Sequence, residues 1–222
     1  MSAKHSLFRL VSLASRALSG RDAPLPGLRV LTYHSVGAPR GPDPYGTVMD
    51  PARFRAHVTA LVAWRSLLPP APFGAPADVA ARLAVTFDDG YRDTLTTAAP
   101  LLAAAAIPFT VFVPAAHLGA PHYLDAAGLR ELAALPGAAV GAHGAGHVPL
   151  TTLGDADLAR ELADSRKRLE DVLGRPVDRM SYPFGAVDRR VREAAAAAGF
   201  ALAGASFYGP NLPGRDPLIL RR

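Results

Sequence analysis

Short apolar runs alternate along this chain with longer stretches in which apolar residues recur every three or four positions. The short runs are five to eight residues long, and most are bounded by glycine, proline or polar residues, a pattern typical of buried strands. The runs that predict strands are residues 28–34, 83–87, 107–114, 138–143 and 178–184, followed by the closing runs "FALAGA" and "PLILRR".

The longer stretches between these runs predict helices. The strongest is residues 155–173, where Gly174 follows as a stop signal and four leucines mark one face: Leu158, Leu162, Leu169 and Leu173. Further helices are predicted at residues 51–65, 94–106, 125–134 and 188–200. Because strands alternate with helices and no linker or repeat intervenes, the pattern predicts an α/β fold with a parallel sheet or a (β/α) barrel.

Composition limits the classes of protein that this chain can represent. Its 222 residues suit one domain, and a hydrophobic content of 50% is enough for a substantial core. The absence of cysteine excludes disulfides, thiolate metal sites and cysteine nucleophiles. The formal net charge is +5, but the basic residues are scattered and no groove-reading motif accompanies them, so we expect no nucleic-acid partner.

The first 27 residues are predicted to form an extension ahead of a single main domain at residues 28–222. Arg9 and Arg16 interrupt any secretion-type hydrophobic core, so no clear signal peptide is visible. No later segment approaches the roughly 20 apolar residues that a transmembrane helix needs. Residues 1–20 instead predict a loosely amphipathic helix, which could pack on its own domain or make peripheral contact with a membrane.

Polar side chains follow several of the predicted strands at the point where each strand ends. In chain order, these groups are Tyr33-His34, Asp88-Asp89, His143 with His147, and Tyr182-Pro183-Phe184-Gly185. A (β/α) barrel gathers its chemistry at the carboxyl ends of its strands, so these groups are expected to share one mouth.

Two histidines and two neighbouring acids in this set suggest a metal site. The spacing of His143 and His147 can place both imidazoles on one side of a compact loop. With one carboxylate they would form a three-ligand divalent site that leaves positions open for water and substrate. One of Asp88 and Asp89 would then bind the metal, and the other would remain free as a base. Alternatively, Asp89 caps a helix that starts near Tyr91, which explains only one of the two acids.

The segments "TFDDG", "HGAGH" and "SYPFG", in this order, resemble the motifs of the polysaccharide deacetylases of the NodB-homology type, carbohydrate esterase family 4. The resemblance runs from about Leu28 to Arg222, and its style is closest to members that act on poly-N-acetylglucosamine. It implies a distorted (β/α) barrel. It also implies metal-dependent hydrolysis of an N-acetyl, sometimes O-acetyl, group on a glycan.

The resemblance also implies a role for each matching residue. Asp88 would be the general base, and Asp89, His143 and His147 would bind one divalent metal ion, usually zinc. The segment Tyr182, Pro183 and Phe184 would serve substrate and oxyanion binding, with the backbone N–H of Phe184 helping to hold the oxyanion.

This sequence departs from the family pattern at the proton donor and in the histidine loop, residues 143–147. Many members carry a late Leu-x-His that supplies the general acid, yet no histidine follows His147. His34 is the best substitute, although it could instead serve only as a structural hydrogen-bonding group. Gly144 stands where a serine or threonine is usual, which removes a hydrogen bond from the loop.

Two further departures concern the surroundings of the base and the acetyl pocket. Ser181 replaces the arginine that commonly opens the third motif, so Asp88 loses its expected partner, and Arg221 or Arg92 could replace it. The tryptophan-containing fourth motif is also missing, since Trp64 is the only tryptophan.

Other histidines and tyrosines have simpler interpretations. His117 and His122 flank a turn and are expected to be exposed, and His57 is expected to lie on a helix without a partner. Tyr45 and Tyr123 could stack on sugar rings from loops, although loop tyrosines are common.

We therefore predict a metal-dependent deacetylase that acts on N-acetylhexosamine units of a polysaccharide or oligosaccharide. Two alternatives remain open: an amide deacylase on a lipid-linked sugar, and a noncatalytic glycan-binding homologue. The family usually works in the cell envelope, but the sequence leaves the compartment, the glycan and the oligomeric state undetermined.

Overall fold

The computed structural model describes residues 26–38, 43–75 and 80–222. Its strands are β1 Gly27–Tyr33, β2 Ser35–Val36, β3 Val48–Met49, β4 Ala81–Phe87, β5 Phe109–Val113, β6 Ala138–Ala142, β7 Arg179–Ser181, β8 Leu202–Ala205 and β9 Leu220–Arg221. Its α-helices are α1 Pro51–Ala63, α2 Ala99–Ala104, α3 Ala126–Ala134, α4 Asp155–Leu173 and α5 Arg189–Ala197. Residues 1–25, which hold most of the predicted extension, lie outside the described residues.

Seven strands form one parallel sheet in the order β1-β4-β5-β6-β7-β8-β9. Helices connect most neighbouring strands, and the sheet curls into a nearly closed barrel. This is the predicted distorted (β/α) barrel. Since all seven strands point the same way, the segments that follow them emerge at one end of the barrel.

Asn211 bridges the seam between the first and last strands of the sheet. Its backbone exchanges hydrogen bonds with Leu28 on β1, with N···O distances of 2.8 and 2.9 Å. Its side-chain amide pairs with the backbone of Arg221 on β9, donating over 3.0 Å and accepting over 2.7 Å. One buried residue, through its backbone and its side chain, therefore replaces part of the strand pairing that would complete the barrel.

The core follows from the apolar runs seen in the sequence. All five residues of β5 and the last five of β4 are buried, as expected for parallel strands covered on both faces. Aromatic rings fill the space between these strands and α1, with Phe54 and Phe87 both in contact with Tyr33. The amphipathic helix α4 buries the predicted leucine face against this core.

Two segments differ from the sequence prediction. The predicted helix at residues 94–106 divides into a π-helical turn, Thr94–Ala98, and the short α2, because Pro100 has no N–H to continue the α-helical ladder. Residues 35–49, for which the sequence predicts neither strand nor helix, contain a small parallel pair, β2 and β3. Asp50 and Asp125 are the N-caps of α1 and α3, since each carboxylate accepts a backbone hydrogen bond from its helix. Within the described ranges, no helix is long and apolar enough to cross a membrane.

Candidate active site

The register of the sheet places the polar groups of the first two motifs side by side. Tyr33 on β1 pairs with Phe87 on β4, so His34 and Asp88 leave the barrel together. The Asp88 N–H donates to the Tyr33 carbonyl over 2.9 Å, which holds the start of the acidic turn against β1. His143 follows β6 directly, and its N–H donates to Val113 at the end of β5.

Asp89, His143 and His147 form a cluster that could hold a metal ion. One ligand atom from each lies within 4.8 Å of the other two. Asp89 Oδ1 is 3.2 Å from His147 Nε2 and 3.6 Å from His143 Nε2. Two ligands bound at about 2.1 Å to a tetrahedral ion lie about 3.4 Å apart, so these side chains fit a divalent cation with nitrogen and oxygen ligands.

His143 is oriented for this role by its other ring nitrogen. Its Nδ1 lies 2.8 Å from the carbonyl oxygen of Ser181, so Nδ1 carries the proton and donates it there. Burial lowers the pKa of His143, and the nearby carboxylates only partly oppose this shift. The imidazole is therefore held neutral. Its Nε2 faces Asp89 and can bind a metal ion placed between them.

Asp88 lies beside this cluster in a buried ion pair. Its Oδ1 is 2.7 Å from Arg222 Nη1, and its Oδ2 accepts a hydrogen bond from the Ser181 hydroxyl over 3.2 Å. Burial acts to raise the pKa of Asp88, but the charge and the hydrogen bond of Arg222 outweigh it. The pKa of Asp88 therefore lies well below its usual range. The carboxylate is ionised at neutral pH and lies 3.9 Å from His143 Nε2.

The arginine that pairs with Asp88 differs from the two expected ones. Arg92 instead pairs with Asp125 in an exposed contact, and Arg221 donates to the Tyr208 carbonyl. The expectation that one of these would replace the motif arginine was wrong, because the last strand ends so that Arg222 faces inward. Its guanidinium also lies 5.7 Å from the Phe112 ring centroid.

Burial also acts to raise the pKa of Asp89. A hydrogen bond with His147 is the largest of the effects that outweigh burial, and the pKa of Asp89 is lowered. Of the two histidines, His147 is the closer to Asp89, and among the described residues Asp89 accepts no capping hydrogen bond from a helix N–H. The geometry favours the ligand interpretation of this acid over the capping one.

Three residues of the site have left-handed backbone conformations that non-glycine residues rarely adopt. The φ angles of Asp89, His147 and Phe184 are 72°, 55° and 59°. Each such residue costs on the order of 1–3 kcal/mol, and such residues collect at functional sites where the surroundings hold them. Their placement in three different loops around one cluster is consistent with a prearranged site.

The three residues of the third motif, Tyr182, Pro183 and Phe184, differ in how they face the site. The Phe184 ring is 63% exposed and lies 4.8 Å from the His147 ring centroid, at the edge of the cluster. In the described part of the chain, the Phe184 N–H has no hydrogen-bond acceptor. Pro183 is buried, and the buried Tyr182 hydroxyl donates to the Leu218 carbonyl. The side chain of Tyr182 therefore belongs to the core, and only the backbone of that residue can line the site.

A row of aromatic side chains extends from the histidine cluster, and sequence reasoning missed one of its members. His117 was expected to be exposed, but its ring lies 6.0 Å from that of His147 and 4.8 Å from that of Tyr123. Tyr123 in turn stacks on Tyr91 at 4.9 Å. The backbone bridge between Tyr91 and Tyr123 joins the acidic turn to the 117–125 segment, a pairing that no local sequence signal reveals.

The other residues singled out from the sequence have varied surroundings. His34 is partly buried and emerges from β1 beside Asp88. His57 was expected to have no partner, but its Nδ1 lies 3.1 Å from the Tyr33 hydroxyl. His122 is exposed as expected, and Tyr45 and Trp64 are also exposed, at 86% and 53%.

Comparison with known proteins places this geometry in a family. The family model described as polysaccharide deacetylase matches residues 77–203, more than half of the chain. YxkH of Bacillus subtilis, named for the same family, is 29% identical over 116 residues, which are 52% of this chain and 41% of YxkH. The aligned region thus spans about two fifths of the length of that relative.

Solved structures show the same fold. A polysaccharide deacetylase from Bacillus cereus, BC0361, superposes with a TM-score of 0.78 at 22% identity, covering 89% of this chain and 64% of that one. IcaB from Ammonifex degensii gives a TM-score of 0.77 at 23% identity, with coverages of 89% and 91%. Streptococcus pyogenes deacetylase PplD, solved with acetate, gives 0.77 at 18% identity, with coverages of 90% and 92%. With the family model matching most of its barrel, this chain belongs to the polysaccharide deacetylase family.

Proposed function

We propose that this protein is a metal-dependent hydrolase that removes N-acetyl groups from N-acetylhexosamine units of a glycan. The observation that carries the proposal is the meeting of Asp89, His143 and His147 within 4.8 Å, beside the separate, ionised carboxylate of Asp88. One acid would belong to the metal centre and the other would be left for proton transfer, as amide hydrolysis requires.

The proposed metal ligands are Asp89, His143 and His147. A divalent cation held there would supply a Lewis acid for the acyl oxygen and lower the pKa of a water molecule. Zinc suits this ligand set, and zinc is the proposed ion.

Asp88 would accept the proton of the attacking water. The ion pair with Arg222 keeps Asp88 ionised, so the base is present in its working form at neutral pH. The Ser181 hydroxyl and Arg222 hold the carboxylate from two sides and fix its direction. This arrangement supplies a prearranged, ionised base.

Two further groups would complete the reaction. The Phe184 N–H, which has no acceptor in the described part of the chain, would donate a hydrogen bond to the oxyanion. The amine is a poor leaving group unless it is protonated, and His34, which emerges beside Asp88, would donate that proton.

The glycan substrate is proposed from the relatives and from the surroundings of the cluster. The family is described as polysaccharide deacetylases, and PplD was solved with acetate, the product that this reaction would release. The aromatic row through His117, Tyr123 and Tyr91 begins beside His147 and could contact sugar rings. By analogy with the family, we propose action in the cell envelope.

Acetate release tests this proposal directly. Purified protein would be incubated with N-acetylglucosamine oligosaccharides after chelation, with and without added zinc, and free acetate would be measured. We expect release only after zinc is restored, and none from Asp89→Asn, because asparagine tolerates the left-handed backbone but is a poor metal ligand. Release that is unaffected by chelation would contradict the metal-dependent mechanism. Sugar binding without acetate release would instead support a noncatalytic glycan-binding protein.

A further inference from the structure

Glu161 reaches from helix α4 into the loop that carries the two histidines. The Gly146 N–H donates to Glu161 Oε1 over 2.7 Å, and Gly146 immediately precedes His147. Helix α4 is anchored at this point because Leu158 and Leu162, on either side of Glu161, are buried in the core. A hydrogen bond from a backbone N–H to a carboxylate is short and about twice as strong as a neutral one.

The carboxylate of Glu161 occupies the space beside Gly144. A Cβ atom added at position 144 would lie 3.0 Å from Glu161 Oε1 and 3.3 Å from Pro183 Cγ. Both contacts are tighter than ordinary van der Waals distances, and the φ angle of Gly144 is +70°. A serine or threonine at 144 would therefore compete with Glu161 for the same place. The glycine removes a hydroxyl from the loop and makes room for a carboxylate from a helix.

An anchor in the histidine loop matters most at the second histidine, His147. Its first half is held to the 115–116 segment by hydrogen bonds from Ala115 to Gly144 and from Ala116 to Ala145, at 3.1 and 2.8 Å. The second half ends at His147, whose left-handed backbone persists only if neighbouring contacts hold it. The hydrogen bond from the Gly146 N–H to Glu161 fixes the backbone immediately before that strained residue.

We propose that Glu161 is a positioning residue for the metal centre, which fixes the backbone ahead of His147 in place of the hydroxyl missing at position 144. This inference rests on the proposed function, since it assumes that His147 is a ligand. Glu161 is not one of the three proposed ligands, and it contacts the loop through the Gly146 N–H. It acts by limiting the directions in which the His147 imidazole can point, so its loss should weaken metal binding first.

Zinc affinity tests this role without relying on turnover. The dissociation constant of Zn²⁺ would be measured by competition with a chromophoric chelator for the full chain and for Glu161→Ala. Outer partners that orient ligands typically contribute 10–100-fold to metal affinity, so we expect binding weaker by about that factor. Glu161→Gln should give a smaller loss, because its amide oxygen can still accept from Gly146 but without a charge. The d–d absorption spectrum of the Co²⁺-loaded alanine variant should also change, since a displaced imidazole alters the ligand geometry.

Asp164→Asn is the matched control, because it removes the same charge from an exposed position on the same helix. Its zinc affinity should stay within about twofold of the starting protein, as an exposed charge is screened by solvent. Glu161→Ala with unchanged zinc affinity and an unchanged cobalt spectrum would overturn the proposal. If circular dichroism shows that this variant is unfolded, Glu161→Gln decides: weaker binding supports the role and equal binding overturns it. Zinc binding by the starting protein without acetate release would refute the proposed reaction only, whereas no zinc binding would refute both.

Discussion

The ion pair between Arg222 and Asp88 makes a prediction that can be measured on metal-free protein. Both side chains are almost fully buried, at 3% and 6% exposure, and their closest N···O distance is 2.7 Å. Arg222→Met removes the positive charge and keeps an apolar side chain of similar reach over the Phe112 ring. The variant leaves a buried carboxylate whose remaining neighbours are the Ser181 hydroxyl and His143.

The size of the effect follows from this burial. Removing one partner of a buried pair usually costs about 3–5 kcal/mol of unfolding free energy, because the other charge is left uncompensated. Asp88 can avoid part of this cost by taking up a proton. That uptake costs about 1.4 kcal/mol for each pH unit above 3.8, the ordinary pKa of the carboxyl. We therefore expect a loss of about 4 kcal/mol at pH 7 and about 2 kcal/mol at pH 5.

The pH dependence has a definite sign. In the starting protein the pKa of Asp88 is lowered, so its stabilising contribution is fully present above about pH 4 and is lost only as pH falls through the still lower folded-state pKa. In the variant the pKa of Asp88 rises, so the penalty grows between pH 5 and pH 7. The difference in stability between the two proteins must therefore shrink as the pH falls.

Urea unfolding in the presence of chelator, at pH 7 and at pH 5, measures the loss of unfolding free energy at each pH. Arg221→Met is the matched control, because the Arg221 guanidinium donates to the Tyr208 carbonyl in an exposed contact and forms no ion pair with an acid of the described ranges. It should cost about 1 kcal/mol or less at either pH. Equal losses in the two variants, or a loss in Arg222→Met that does not depend on pH, would refute the reasoning about Asp88.

Three further predictions concern turnover. Asp88→Asn should bind zinc as tightly as the starting protein in the chelator competition, yet lose about 10²–10⁴-fold in kcat, because only the base is removed; full activity would exclude that role. His34→Ala should impair amide substrates more than activated aryl acetates, whose leaving groups need no proton, and equal losses in kcat/KM would count against the acid role. Tyr123→Ala should raise KM for oligosaccharides about threefold to tenfold with little change in kcat, since stacking contacts contribute about 0.5–1.5 kcal/mol; an unchanged KM would remove Tyr123 from the substrate surface.

Much of the barrel could be predicted from sequence because each of its signals is local. The limits of helix α4 follow from four leucines on one face and from Gly174, which adopts the left-handed conformation that ends a helix. The N-caps Asp50 and Asp125 are also local signals, because each lies immediately ahead of its helix. Parallel strands can be recognised in the sequence as continuous apolar runs, because both of their faces are buried.

The parts of the site that could not be predicted depend on contacts between distant segments. The sequence "LRR" at the end of the chain does not say which arginine faces inward, because that depends on where β9 stops pairing with β8. His117 joins the histidine cluster only through the folding of the 117–125 segment onto Tyr91. Glu161 reaches the histidine loop from a helix whose sequence shows only an ordinary polar face.

The most direct test of the account is the location of the metal ion. Anomalous diffraction at the zinc edge, on crystals grown with zinc, would show where the ion binds. We expect a single strong peak in contact with Asp89 Oδ1 and with the Nε2 atoms of His143 and His147, at about 2.0–2.2 Å. Zinc bound elsewhere, or bound through Asp88 with either histidine turned away, would contradict it.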